Sequence, residues 1–160
     1  MVLAFGACLH AQDTTKYAPE GKKFEIVFPG KPNEKEVGKN TGKMLLLPAM
    51  NDKAVYIFYH NEFPKEVDVT NKDIAATIFK SGLEGGLRAW KGKVVKEKDF
   101  MVNKKHPAKE FEIDAPNIGI IKLQLILTNT EFYQIAIGGS KEFVESADAR
   151  KFAESFKVKD

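Results

Sequence analysis

Two stretches late in the chain constrain the fold more than any other feature. In IGIIKLQLILT, residues Ile121, Leu123, Leu125 and Leu127 fall on one face of an extended chain, with Lys122 and Gln124 on the other. EFYQIAI follows after only Thr128, Asn129 and Thr130, which is room for a turn and little else. Alternation with a period of two predicts strands, and so short a link predicts that they pair antiparallel. A strand pair with a continuous apolar face needs a second layer to cover it.

The cover is predicted upstream. Ile74, Ile78, Phe79, Leu83, Leu87 and Trp90 recur at helical spacing. Thr70 with Asp73 fits a capping box at the start of that helix. Gly82, Gly85 and Gly86 lie inside the run, each costing about 1 kcal/mol relative to Ala; they predict either a close approach to the sheet or a break.

Further strands are expected on both sides of the helix. KFEIVF alternates, and the following FPGKP stops it because Pro29 and Pro32 cannot donate ladder hydrogen bonds. GKMLLLPAM is a strand whose Pro48 points to an edge or a bulge, and AVYIFYH, apolar on both faces, is a central strand; the three are expected to form a meander. After the helix, the lysine-rich Val94–Val102 suits an exposed edge, and AKEFEID alternates again. Ser146 opens a short closing helix with Ala149, Phe152, Ala153 and Phe156 as its apolar stripe. The order strands, long helix, strands, helix is that of an α+β domain: a mostly antiparallel sheet with one long central helix and a C-terminal helix. At 160 residues, 43% of them apolar, the chain supports one such domain, expected over residues 23–160.

The remaining 22 residues read differently. MVLAFGACLH is apolar and small-residue-rich before turning polar at Gln12, like the end of a secretory signal. Residues 1–11 are expected to be a signal-peptide remnant and 12–22 a leader. Two cuts are open: after Ala11, which releases a soluble exported protein, or before Cys8, which leaves a lipid on that thiol. Cys8 is the single cysteine, so an internal disulfide is excluded. No apolar run reaches the ~18 residues of a membrane helix. The net charge is only +3, and Arg88 and Arg150 are the only arginines among 25 basic residues. The forked guanidinium contacts that read bases and phosphates are therefore scarce, and nucleic-acid binding is not expected.

The residues that most resemble a reactive centre are His106 and Glu110 in KKHPAKEFEI. On a helix they would be neighbours. Pro107 and the alternation of Phe111 and Ile113 against Glu110 and Glu112 predict a strand, where four residues span roughly 13 Å. Metal bonds to N and O are about 2.0–2.2 Å, so the pair is expected to mark a hairpin corner. His60, at a strand end, is the other histidine of the expected domain, and the two could meet only through the fold. No Gly-x-Ser-x-Gly elbow surrounds Ser81, Ser140, Ser146 or Ser155. IGGSKE lacks the Gly-Lys-Ser/Thr ending of a phosphate loop, so it is an anion site or simply a strand-to-helix turn. Neither catalytic residues, nor a metal, nor a cofactor is expected.

YAPEGKKFEIVFPGKP, KKHPAKEFEI, EFYQIAI and ARKFAESFKV also occur in an order that resembles the small exported bacterial domains of the PsbP-like and DcrB-like α/β/α sandwich superfamily. The positions that match are Phe24, Pro29, Pro32, His106, Pro107, Glu110, Phe111, Tyr133, Phe152, Ser155 and Phe156, with Ala108 where those relatives commonly have Gly. The resemblance implies a non-enzymatic, exported accessory domain that contacts a cell-envelope partner protein. The alternative is a module for a small apolar ligand or lipid. Candidate contact residues are Phe79, Leu83 and Trp90 on the helix, with His60 and His106.

Overall fold

A computed structural model of the chain describes residues 13–37, 42–48 and 54–159. Its main feature is a seven-stranded antiparallel sheet. In chain order the strands are β3 (Asn33–Val37), β4 (Gly42–Pro48), β5 (Val55–Glu62), β6 (Lys93–Val102), β7 (His106–Ala115), β8 (Gly119–Leu127) and β9 (Glu131–Gly139); across the sheet they run β3-β4-β5-β9-β8-β7-β6. A second sheet has the order β1-β2-β10, from β1 (Thr15–Tyr17), β2 (Phe24–Phe28) and β10 (Lys157–Val158). The helices are α1 (Lys72–Trp90), α2 (Lys141–Val144) and α3 (Ala147–Glu154).

The period-two pattern assigns the layers. Phe111, Ile113, Ile121, Leu123, Leu125, Leu127, Phe132 and Ala136 project to one side and form a core with Ala75 and Phe79 of α1. Tyr56, Phe58, Ala108, Ile126, Tyr133, Ile135 and Ile137 project to the other side. There they meet Phe24, Ile26 and Phe28 of the small sheet, together with Ala149, Phe152 and Phe156. The large sheet is thus buried on both faces, and the expected α+β architecture stands. The hairpin of β8 and β9 and the exposed, lysine-rich edge strand β6 also stand.

The N-terminal strands depart from the expected meander. Phe24–Phe28 leaves the large sheet altogether. Its Phe24, Ile26 and Phe28 are fully buried, and it lies across the face opposite α1, pairing with β1 and β10. A third meander strand is supplied instead by the polar Asn33–Val37, whose alternation carries almost no apolar signal. Thr15–Tyr17, read as leader, is a strand of the small sheet. Pro48 is the last residue of β4, a strand with neighbours on both sides. There it ends the ladder without forming an edge.

Helix α1 begins one residue later than the capping box predicts. Asn71 is the N-cap and its Oδ1 accepts from the backbone N–H groups of Asp73 and Ile74, at 3.0 and 3.2 Å. Thr70 turns back to Asp68, which accepts from both its N–H and its hydroxyl. The helix then runs unbroken through all three glycines to Lys91, a left-handed C-cap with φ 52°. Gly82 explains how: a Cβ there would sit 2.6 Å from Phe132 Cζ, so the absent side chain lets the helix lie close on the sheet. Gly85 faces open space. Ile74, expected in the apolar stripe, is 39% exposed because it sits in the first turn, beyond the sheet's cover.

The closing residues complete the fold. Ser146 caps α3 as predicted. Ser155 Oγ accepts from the Val27 N–H at 2.9 Å and donates to the Phe152 carbonyl at 2.7 Å, which stitches the helix end to β2.

Two substitutions separate the roles of the helix glycines. Gly85→Ala is expected to raise stability by up to about 1 kcal/mol, because nothing opposes the gain in helix propensity. Gly82→Ala is expected to lower it, because Phe132 must move. Urea denaturation of both variants measures this; equal effects would contradict the packing described.

Candidate functional site: a polar cleft and an apolar groove at one end of the sheet

The hairpin joining β6 to β7 places His106. Asn103 and Lys104 both adopt left-handed backbone, φ 52° and 57°, and the Lys105 N–H closes the turn on the Val102 carbonyl at 3.1 Å. His106 is therefore the first residue of an extended strand, opposite Val102. It lines one cavity at the strand end while Glu110 lines another farther along, beside Gln124, whose Nε2 donates to Glu110 at 2.8 Å. The two side chains do not converge, and KKHPAKEFEI is a corner. His60 does not join them. It sits on β5, with β9 and β8 between it and β7, so the two histidines stand about 14 Å apart by strand spacing. Among the described residues no group of three or more His, Cys, Asp or Glu could hold a metal ion.

His60 is instead buried in an aromatic box. Its ring lies 4.8 Å from Phe24, 5.8 Å from Phe58 and 6.2 Å from Tyr17, centre to centre. Burial, followed by the charges of Lys22 and Lys43, lowers its pKa to about 4. It is neutral at ordinary pH and works as a core side chain.

The residues that gather at the strand ends were not foreseen. Glu62 and Glu131 are directly opposed on β5 and β9, a like-charge pair that costs stability by itself. Lys22, in the turn before β2, resolves the conflict by reaching both acids: it donates to Glu62 and lies 3.4 Å from Glu131 Oε1. Burial opposes the Lys22 charge, but the two carboxylates outweigh it and its pKa is raised. Glu131 is only 5% exposed, and its second oxygen accepts a hydrogen bond from the Tyr133 hydroxyl. Burial and that hydrogen bond push the Tyr133 pKa far up, so the phenol stays a donor. Glu131 and Tyr133 share a strand face two residues apart, which the alternation of EFYQIAI does encode. Their burial depends on a loop from the other end of the sequence, which it does not.

Around this cluster opens a polar cleft of about 650 Å³, floored by Glu131 and Tyr133 and walled by His106, Thr128 and Thr130. Beside it, between the first half of α1 and the β6–β7 hairpin, lies a second cavity of about 570 Å³. Its walls are Val69, Ala75, Ala76, Phe79, Met101 and Pro107, and it is predominantly apolar. Val69, Thr70 and Lys105 line both cavities. The segment that separates them is held by two backbone bonds to the β8–β9 turn, Phe63 N–H to Thr130 O and Val67 N–H to Asn129 O, each 2.8 Å. Of the candidate contact residues on α1, Phe79 reaches the groove; Leu83 and Trp90 pack farther along, against the sheet. Ser140, in IGGS, donates no open anion cradle: its own hydroxyl accepts the Phe143 N–H at 3.2 Å, so this is a strand-to-helix turn. Cys8 lies outside the described residues.

This arrangement occurs on a known architecture. Cyanobacterial PsbP (CyanoP) from Synechocystis sp. PCC 6803 is similar to the chain with a TM-score of 0.64 at 9% identity, covering 98% of both chains. PA94 from Pseudomonas aeruginosa, a protein of unknown function, is similar at 14% identity with a TM-score of 0.49, covering 89% of this chain and 94% of its own. No protein-family model matches the sequence, and no curated protein matches it. The fold is PsbP-like. At 9% identity that likeness carries the architecture and leaves activity and partners open.

His60 gives the core a pH signature. Between pH 6.5 and about 4 the unfolded chain binds a proton at this position that the folded chain does not. Stability is therefore expected to fall as the pH drops through that window, by on the order of 3 kcal/mol, and to lose no more to this residue below it. His60→Leu is expected to flatten the slope. Denaturation midpoints of both proteins from pH 7 to 4 check this; parallel curves would show that His60 does not titrate as described.

Proposed function

We propose that the protein is an exported, non-catalytic accessory domain that binds a cell-envelope partner protein. The binding face is the end of the sheet where the polar cleft and the apolar groove meet. One observation carries this reading: two open cavities of different polarity adjoin there. Beside them Met101 is 53% exposed on the groove wall, a flexible apolar side chain of the kind found at adaptable binding surfaces. Two hydroxyls of the cleft are held in local turns, Thr70 on Asp68 and Thr128 on the Glu131 backbone.

Photo-crosslinking tests the face. With benzoylphenylalanine at Met101, a discrete adduct is expected in a cell-envelope fraction. The same probe at Lys151, exposed on α3, is expected to give none. Equal labelling at both positions, or none at either, would remove the proposed face. Export is part of the same reading and rests on the signal-like residues 1–11, with Cys8 the candidate attachment point for a lipid. The intact mass of the natively produced protein is expected to lack Met1–Ala11, or to begin at a lipid-bearing Cys8. A mass that retains Met1–Ala11 would end the export reading.

The groove also supports a second reading, a module for a small apolar ligand or lipid. The sequence placed such a ligand between sheet and helix near Phe79, Leu83 and Trp90; the groove favours the Phe79 end.

A further inference from the structure

We propose that Thr15–Lys22 is an acid-released flap: proton uptake by His60 lifts it from the end of the sheet and widens the polar cleft, while both cores stay folded. The device extends the reading of this end as a binding face, but it does not depend on what binds there.

The flap is lightly held. Strand β1 is three residues long, none of them fully buried, and among the described residues it pairs on one side only, with β2. The turn that follows is closed by the Lys22 N–H on the Pro19 carbonyl at 3.1 Å. Gly21 adopts φ 74° there and faces open space, so no packing resists movement at that point. Among the described residues, only Lys22 joins this segment to the large sheet by ion pairs, with Glu62 and Glu131. Strand β2, beyond the flap, is pinned: Phe24 pairs with Val158 of β10, and the Val27 N–H donates to Ser155 Oγ at 2.9 Å.

His60 lies beneath the flap. The Tyr17 hydroxyl is 3.5 Å from its Nε2, and its Nδ1 is buried with no hydrogen-bond partner among the described residues. Charged and titratable groups face the ring from every neighbouring element. Lys43 of β4 is directly opposite and Lys22 stands on the flap; both oppose a positive charge. Glu62 of β5 and Glu34 of β3 favour one, but Lys22 holds the first and Lys43 the second. The Tyr133 hydroxyl of β9 is spent on Glu131, and burial, then Glu34, keeps the Tyr17 phenol protonated. Burial, followed by the two lysines, keeps the closed ring neutral until about pH 4.

Lifting the flap relieves each obstacle. Tyr17 leaves the ring and water reaches it. Lys22 carries its charge away and leaves Glu62 to meet the imidazolium. The ring then titrates near its ordinary value of about 6.5, so the open form takes the proton first and acid draws the flap outward. Gly21 and Lys22 also leave the cleft wall, which bares the two opposed glutamates.

The distance across the cleft is the test. In a Cys8→Ser chain, spin labels at Glu20→Cys on the flap and Asn129→Cys in the β8–β9 turn, both exposed positions, report it by pulsed electron paramagnetic resonance. A single short distance is expected at pH 7. At pH 4.5 a second, longer distance is expected, with the open-to-closed ratio raised about fiftyfold. His60→Phe, which keeps an aromatic ring in the box, and His60→Leu are expected to hold the short distance at both pH values; either variant that folds is sufficient. Near-ultraviolet circular dichroism of the same samples follows the cores and is expected to stay unchanged. Three results overturn the flap: one distance at both pH values, a long distance that persists in the His60 variants, or a long distance that appears only as the core signal is lost.

Discussion

Strand β9 carries the structure because neither of its faces can be wet. Tyr133, Ile135 and Ile137 belong to the core beneath the small sheet, and Phe132 and Ala136 to the core beneath α1. A strand in this position forces two covers, and the chain provides one from its middle and the other from its early and late segments together. Helix α1 serves one face. The other is closed by β2 with the C-terminal segment: Phe24 and Phe156 pack with Phe58 and Tyr133 at ring separations of 5.0 to 5.7 Å, and Phe152 packs with Phe28 and Tyr56 at 4.9 and 5.0 Å. Aromatic packing of this kind supplies large buried area per residue, which suits a cover made of one short strand and a two-turn helix.

The same arrangement explains the polar end of the molecule. Where β5 and β9 run out, their in-register partners are both glutamates, and the small sheet supplies the lysine that makes this tolerable. The cleft opens around these three side chains. The apolar groove beside it has a different origin: α1 lies over β7 and β8, leaving β6 beyond the helix's shelter. Its Asp99 and Met101 reach past the covered area, and the groove is the gap beneath. Both cavities follow from where the layers stop.

Much of the fold was legible because its longest elements carry strong periodicities. The alternation of Ile121, Leu123, Leu125 and Leu127 and the helical spacing from Ile78 to Trp90 each report a face that is buried. The expectation that Pro107–Asp114 is extended followed from the same logic, and it correctly separated His106 from Glu110. Two things escaped. Asn33–Val37 is a strand held by its neighbour's ladder rather than by apolar side chains, so its sequence is silent. The destination of Phe24–Phe28 was also invisible, because an apolar face states that it is covered and not by which sheet. The site was the least legible part. Glu131 reads as a surface acid after a turn, and Val69 as a loop residue. Each is buried only by contacts between segments far apart in the chain.

The pairing of β2 with β10 has a consequence for how this molecule is made. Phe24 pairs with Val158, and the Lys159 N–H bonds the Lys23 carbonyl at 2.7 Å. An early strand therefore waits for residues 157–158, far downstream, before its sheet is complete. Contacts of such sequence separation are entropically expensive to close and slow folding. A nascent chain emerging from a ribosome can form the β5–α1–β9 half of the molecule while the second core still lacks its lid. Until residues 157–158 have been made, the small sheet lacks a strand and the second core stays open on that side.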